Sequence, residues 1–103
     1  MVSTVGEYLL EKATNMQCWL HNELHDDKER TRLTEMSVTV MASRLHMNAQ
    51  AVRDRDWETL LRVASSAGLT DLTDMIEAVR SRGDLHDKFW RYLDLFVELM
   101  SSN

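Results

Sequence analysis

The chain has no proline in 103 residues and only three glycines, Gly6, Gly68 and Gly83. Proline removes a backbone donor and collides with the preceding helical turn, and glycine raises the entropy lost on forming a helix. A sequence nearly free of both sets almost no limit on helix length, so its few breaks must be written elsewhere. Apolar residues recur at intervals of three and four, which is one side of a 3.6-residue turn. The expected fold is all-α, a small bundle of about five amphipathic helices in a single domain spanning residues 1–103.

Helix one is expected over about residues 4–25, with Thr4 and Glu7 at capping-box spacing. Its stripe is Val5, Leu9, Ala13, Met16, Leu20 and Leu24, widened by Tyr8 and Trp19. Helix two is expected over about 27–47, opened by Asp26 or Asp27 at its positive end. It carries two apolar faces. Leu33, Met36, Val40 and Met47 form the first, and Val38, Met41, Ala42 and Leu45 the second, roughly opposite. Asn48 is the candidate joint to a third helix, although one continuous helix from about 27 to 66 is also compatible with the pattern. The third segment buries Trp57, Leu60, Leu61 and Ala64 and ends at Gly68, a left-handed terminator. Ahead of Trp57, the polar run Arg53-Asp54-Arg55-Asp56 is expected to project into water.

Helix four is expected over about 70–82, capped by Thr70, with Leu72, Met75, Ile76 and Val79 in one stripe. Gly83 stops it. Helix five then runs from Asp84 to about residue 100 on Leu85, Phe89, Tyr92, Leu93, Phe96 and Met100. Trp90 and Val97 extend its apolar arc on one flank, and Leu95 and Leu99 on the other.

Helices two and five thus show more apolar surface than one side each. Burying a large apolar side chain is worth roughly 1.5–3 kcal/mol, and soluble monomers rarely leave contiguous apolar patches open. A two-fold homodimer with helix two or five at the seam resolves the excess; a monomer in which both helices are central is the competing arrangement. Seven methionines, three of them on helix two (Met36, Met41 and Met47), suit an adaptable binding surface as well as core filling. The residues expected to contact a partner are Trp19, Val38, Met41, Leu45, Trp57, Trp90 and Val97, with the tryptophans as anchors.

Charge narrows the choice of partner. The net charge is −5. The only basic surplus falls within residues 28–62, where seven bases are interleaved with five acids. Duplex binding relies on a basic face that displaces counterions, so nucleic acid is not favoured. The acids form no dense run either, which disfavours mimicry of DNA. A single cysteine, Cys18, allows no internal disulfide and fits a reducing compartment. MVSTVGEYLL lacks a basic region before its short apolar run, and no stretch is long enough to cross a bilayer, so cytoplasmic residence is the expectation.

Three constellations bear on chemistry. Cys18, His21 and His25 fall on one face of helix one, but HNELH is not the zinc-protease pattern, because Glu23 points away. Cys18 and His25 also lie about 10 Å apart along the axis, too far for one ion, so neither metal nor cofactor is expected. No glycine-rich phosphate loop or nucleophile elbow is present, and no enzymatic activity is expected. Finally, VMASRLHMNAQAV resembles a helix-turn-helix unit, with Ala42 at the close contact, Leu45 and Met47 flanking the turn and Val52 opening a recognition helix. Locally it is similar to the corresponding stretch of AraC-type regulators, and the resemblance covers under a fifth of the chain. It implies a DNA-binding transcription regulator using residues 38–57. The sequence departs from that pattern at His46, in place of the turn glycine, at Arg55, in place of an apolar anchor, and through Asp54 and Asp56, which repel phosphates. The favoured expectation is a small acidic regulator of the kind found in bacteria and their phages. It would act stoichiometrically as an inhibitor, antiactivator or adaptor on a larger protein.

Overall fold

A computed structural model describes residues 4–26 and 32–101. Among these residues the regular structure is entirely helical. The order is α1 (Thr4–Leu24), α2 (Glu35–Met47), α3 (Ala49–Arg53), α4 (Trp57–Ser66), α5 (Thr70–Arg80), a 3₁₀ turn (Gly83–Leu85) and α6 (His86–Ser101). The all-α expectation holds, with six α-helices among the described residues where about five were expected.

α6 is the central element. It packs against α1, α2, α3 and α5, while α4 and α5 form a second layer on each other. Phe89, Trp90, Leu93 and Phe96 are buried along its length, joining Leu85 of the 3₁₀ turn before it, Leu9, Met16 and Leu20 of α1, Leu60 of α4 and Ile76 of α5 in one core cluster. Tyr92, Val97, Leu99 and Met100 are partly buried against the same cluster. The broad apolar arc of α6 is therefore covered within one chain, because four helices surround it. The Cα radius of gyration of 12.8 Å matches the value of about 13 Å for a compact unit of this length.

Two boundaries depart from the expected ones. α2 begins at Glu35, and residues 32–34 are not helical. The start expected at Asp26 or Asp27 is not used: Asp26 is non-helical, and Asp27 lies outside the described residues. Instead, Thr34 caps α2. Its Oγ1 accepts from the Ser37 backbone N–H at 3.1 Å, and the Ser37 Oγ accepts from the Thr34 N–H at 3.1 Å. This reciprocal pair satisfies two donors that the first turn leaves without helical partners. The box is Thr-x-x-Ser, and a search for the commoner glutamate at the fourth position passes over it.

The stretch expected as one third helix is two helices, with breaks at Asn48 and at 54–56. The Asn48 side chain donates to the Arg44 carbonyl at 2.8 Å, so a side chain that competes for backbone groups ends α2 without glycine or proline. At the second break, Arg55 has φ of 54°. Its N–H donates to the Val52 carbonyl, and the Asp56 N–H donates to the Ala51 carbonyl. This is a Schellman stop with arginine in the position usually held by glycine. Gly68, at φ 69°, makes the same motif after α4, with Gly68 N–H to Ser65 and Leu69 N–H to Ala64. The expectation for Gly68 was correct. Gly6 has a different role: it is buried where the Glu35 side chain crosses the start of α1, and a Cβ there would overlap that carboxylate.

Two exposed carboxylates give the fold an acid-sensitive edge. The Thr59 side chain and backbone donate to Asp56, the cap of α4, and hold its carboxyl below the ordinary 3.8. A hydrogen bond from Arg82 holds Asp84 low in the same way. A lowered folded-state pKa contributes stability that is complete above the ordinary value and lost as pH falls through the folded one. Urea midpoints should therefore stay level from pH 7 to about 5 and fall below about pH 4. Asp56→Asn, which retains a capping oxygen, should flatten part of that limb; an unchanged acid profile would remove Asp56 from the account.

Candidate functional site

The two apolar faces of α2 meet opposite fates. Val38, Met41, Ala42 and Leu45 point inward and are buried. On the outer side Met36 remains 78% exposed, Met47 68% and Val40 41%. Ser43 falls on the same line, because positions 36, 40, 43 and 47 recur at four, three and four residues. The result is an apolar ridge about 16 Å long at 1.5 Å per residue. Exposed Ser37 and Arg44 border it on one side, with half-buried Thr39 and exposed His46 on the other. The Ser101 Oγ lies 3.2 Å from the His46 Nδ1, which ties this border to the end of α6. Leu33, grouped with this face in the sequence, lies ahead of α2 and packs against the core instead.

The residues expected to bind a partner are dispersed. Val38, Met41 and Leu45 are core residues, and Trp90 is 4% exposed. The small remaining surface of Val38 and Met41 opens into a groove of about 290 Å³ between α1, α2 and α5, where Met16, Leu72 and Met75 also contribute. Val97 is half-buried against the core. Trp57 and Trp90 come together with ring centroids 4.5 Å apart, and Phe89 and His86 complete their cluster at 5.9 and 4.9 Å from Trp57. Trp19 sits apart. It contacts Tyr92 at 5.9 Å under the Lys88 ammonium, on the opposite flank of α6. Among the described residues, the large apolar side chains left exposed are Met36, Val40, Met47 and Tyr8. The sequence had grouped the first three on one face of α2 but had not chosen that face.

Arg55 is the main polar feature beside the aromatic cluster. It makes a two-pronged contact with Asp94, Nη1 to Oδ1 at 2.6 Å and Nη2 to Oδ2 at 2.9 Å, and lies 5.3 Å from the Trp90 ring centroid. The Arg53–Asp56 run is exposed, as expected, yet Arg55 is fastened to α6. Its left-handed backbone costs about 1–2 kcal/mol relative to glycine. The exposed ion pair and ring contact together return about 1–2 kcal/mol after solvent screening. Arg55→Ala should lower stability by about 1–2 kcal/mol, since it keeps the strain and loses the contacts. Arg55→Gly should lower it less, because it loses the contacts and the strain together. Urea denaturation ranking alanine above glycine would contradict this balance.

The other constellations are placed as follows. α1 ends at Leu24, and His25 has φ of 50°, so its side chain leaves the helical face that carries Cys18 and His21. Among the described residues, no group of three His, Cys, Asp or Glu is arranged to hold a metal ion. After the Asn48 joint comes α3, only five residues long, where a recognition helix would have to span a major groove. Val52, expected to open that helix, is buried, and Arg55 is held by Asp94. None of the helices among the described residues is long and apolar enough to cross a membrane. Compared with protein-family models, curated proteins and solved structures, the chain matches none of them.

Proposed function

We propose that this chain is a small non-enzymatic regulator that works by stoichiometric protein–protein association, self-association included, and that the α2 ridge is its association surface. The observation that carries the reading is the alignment of Met36, Val40 and Met47 in water along one side of a capped helix. Single exposed apolar residues are ordinary on any protein. Several aligned on one side of a helix are not, since covering them releases the free energy of apolar burial. Unbranched thioethers at both ends of the line adapt to partner shapes that a rigid side chain would reject.

The test uses the intact chain immobilised at equal loading, as wild type and as Met36→Lys with Met47→Lys. Both positions are exposed, so the variant should retain its helical circular dichroism and melting temperature. A protein captured at a fixed molar ratio from the host lysate by wild type should be lost, or weakened tenfold or more, with the variant. Equal capture by both would detach the ridge from the function.

A further inference from the structure

The order of residues along the ridge specifies what can cover it. We infer that α2 pairs with α2 of a second copy of this chain, antiparallel across a two-fold axis that passes beside the midpoint between Met41 and Ala42. This inference rests on the ridge being an association surface and names its occupant.

A two-fold contact must be self-complementary: if one residue meets a second, the second must meet the first. The spacing four, three, four is the same read in either direction. Positions 36 and 47 share a midpoint with positions 40 and 43. An antiparallel copy therefore sets Met36 against the partner's Met47, and Val40 against the partner's Ser43. Flexible side chains meet at the two ends, and a β-branched residue meets a small one on each side of the centre. The alternation of four and three is also the seam of a left-handed helix pair, so the contact can continue along the whole of α2.

Charge agrees with the same register. Arg44 faces the partner's Ser37, and His46 faces the partner's Thr39, so no like charges oppose each other along either border. Each helix N-terminus lies beside the partner's C-terminus, where the two dipoles attract. The size of the seam sets its strength. One 13-residue helix per copy covers less than the roughly 800 Å² per partner of a standard stable interface. The pair is accordingly a reversible dimer that dissociates on dilution, not a permanent one.

Sedimentation velocity across a concentration series up to the millimolar range tests this with the full chain. Wild type should shift from monomer to dimer. Met36→Glu alone and Met47→Lys alone should each weaken the dimer tenfold or more. Each places its charge where the helix dipole favours it, so folding should be preserved, as circular dichroism would show. An equimolar mixture of the two variants should recover association, because the antiparallel register sets Glu at 36 on one copy against Lys at 47 on the other. Wild type remaining monomeric throughout would overturn the inference, as would single variants that dimerise normally or a mixture that fails to recover. Monomeric wild type that still captures a host protein through the ridge would leave the proposed function standing and remove only the self-pairing.

Discussion

Phe89→Ala should lower the melting temperature by about 15 °C or more and weaken the near-ultraviolet signal of Trp57 and Trp90. Phe89 is 0% exposed and lies in the first turn of α6, the helix on which the rest of the bundle is built. Its ring stacks on Trp57 at 5.9 Å with planes 17° apart and meets Trp90 edge-on at 6.1 Å. Truncation removes the transfer free energy of the ring and leaves a cavity that two indoles, themselves packed on other residues, cannot collapse to fill. Such changes cost about 3–5 kcal/mol. A domain of this size has about 5–15 kcal/mol in total. The loss should also act beyond α6. Trp57 is the first residue of α4, and α4 packs on α5, so loosening Trp57 frees one end of the second layer. Phe89→Leu, which restores most of the volume, should recover more than half of the loss. Thermal melts of the three proteins decide it. A Phe89→Ala melting point within a few degrees of wild type would mean that Trp57 is anchored elsewhere.

That role for Phe89 could be read from the sequence because α6 is a simple case. Leu85, Phe89, Tyr92, Leu93 and Phe96 repeat on one side over several turns, and a stripe that broad has to be covered. Helix α5 was legible for the same reason, its expected span of about 70–82 closing at Arg80. The exact caps were less so. Thr70 is the first residue of α5 and not its cap, and Gly83 begins a 3₁₀ turn ahead of α6. What was hard to read lies between α1 and α4. There the stops are made by side chains that can equally well sit within a helix. The Asn48 amide bonding back to Arg44 ends α2. Arg55 accepts a left-handed backbone because Asp94, 39 residues away, holds its guanidinium. Spacing within a segment cannot report a partner that distant. The same limit applies to His25, where a left-handed residue ends the face that would have carried a histidine pair.

Leu45→Ala and Met47→Ala, two residues apart on one helix, should differ by at least about 1.5 kcal/mol in unfolding free energy. Leu45 is 0% exposed and Met47 68%. Truncating Leu45 leaves a void between α2 and its neighbours, and such changes cost about 2–5 kcal/mol. Truncating Met47 removes atoms that already sit in water, for which a change within about 0.5 kcal/mol is expected. Two positions along an α-helix are about 200° around its axis, so this pair samples the two faces of α2, of which the sequence reading puts the partner-binding residues on the Val38, Met41 and Leu45 side. Hydrophobicity alone gives no ranking, since both faces carry methionine and valine. The inner one is distinguished by Ala42, fully buried, a side chain small enough to let another helix approach closely. That approach commits the face to the core and leaves Met36, Val40 and Met47 on the solvent side. Urea denaturation at low protein concentration, where any dimer is dissociated, isolates the effect within one chain. Equal losses at both positions would place Met47 in the core, and the ridge would no longer be available for association.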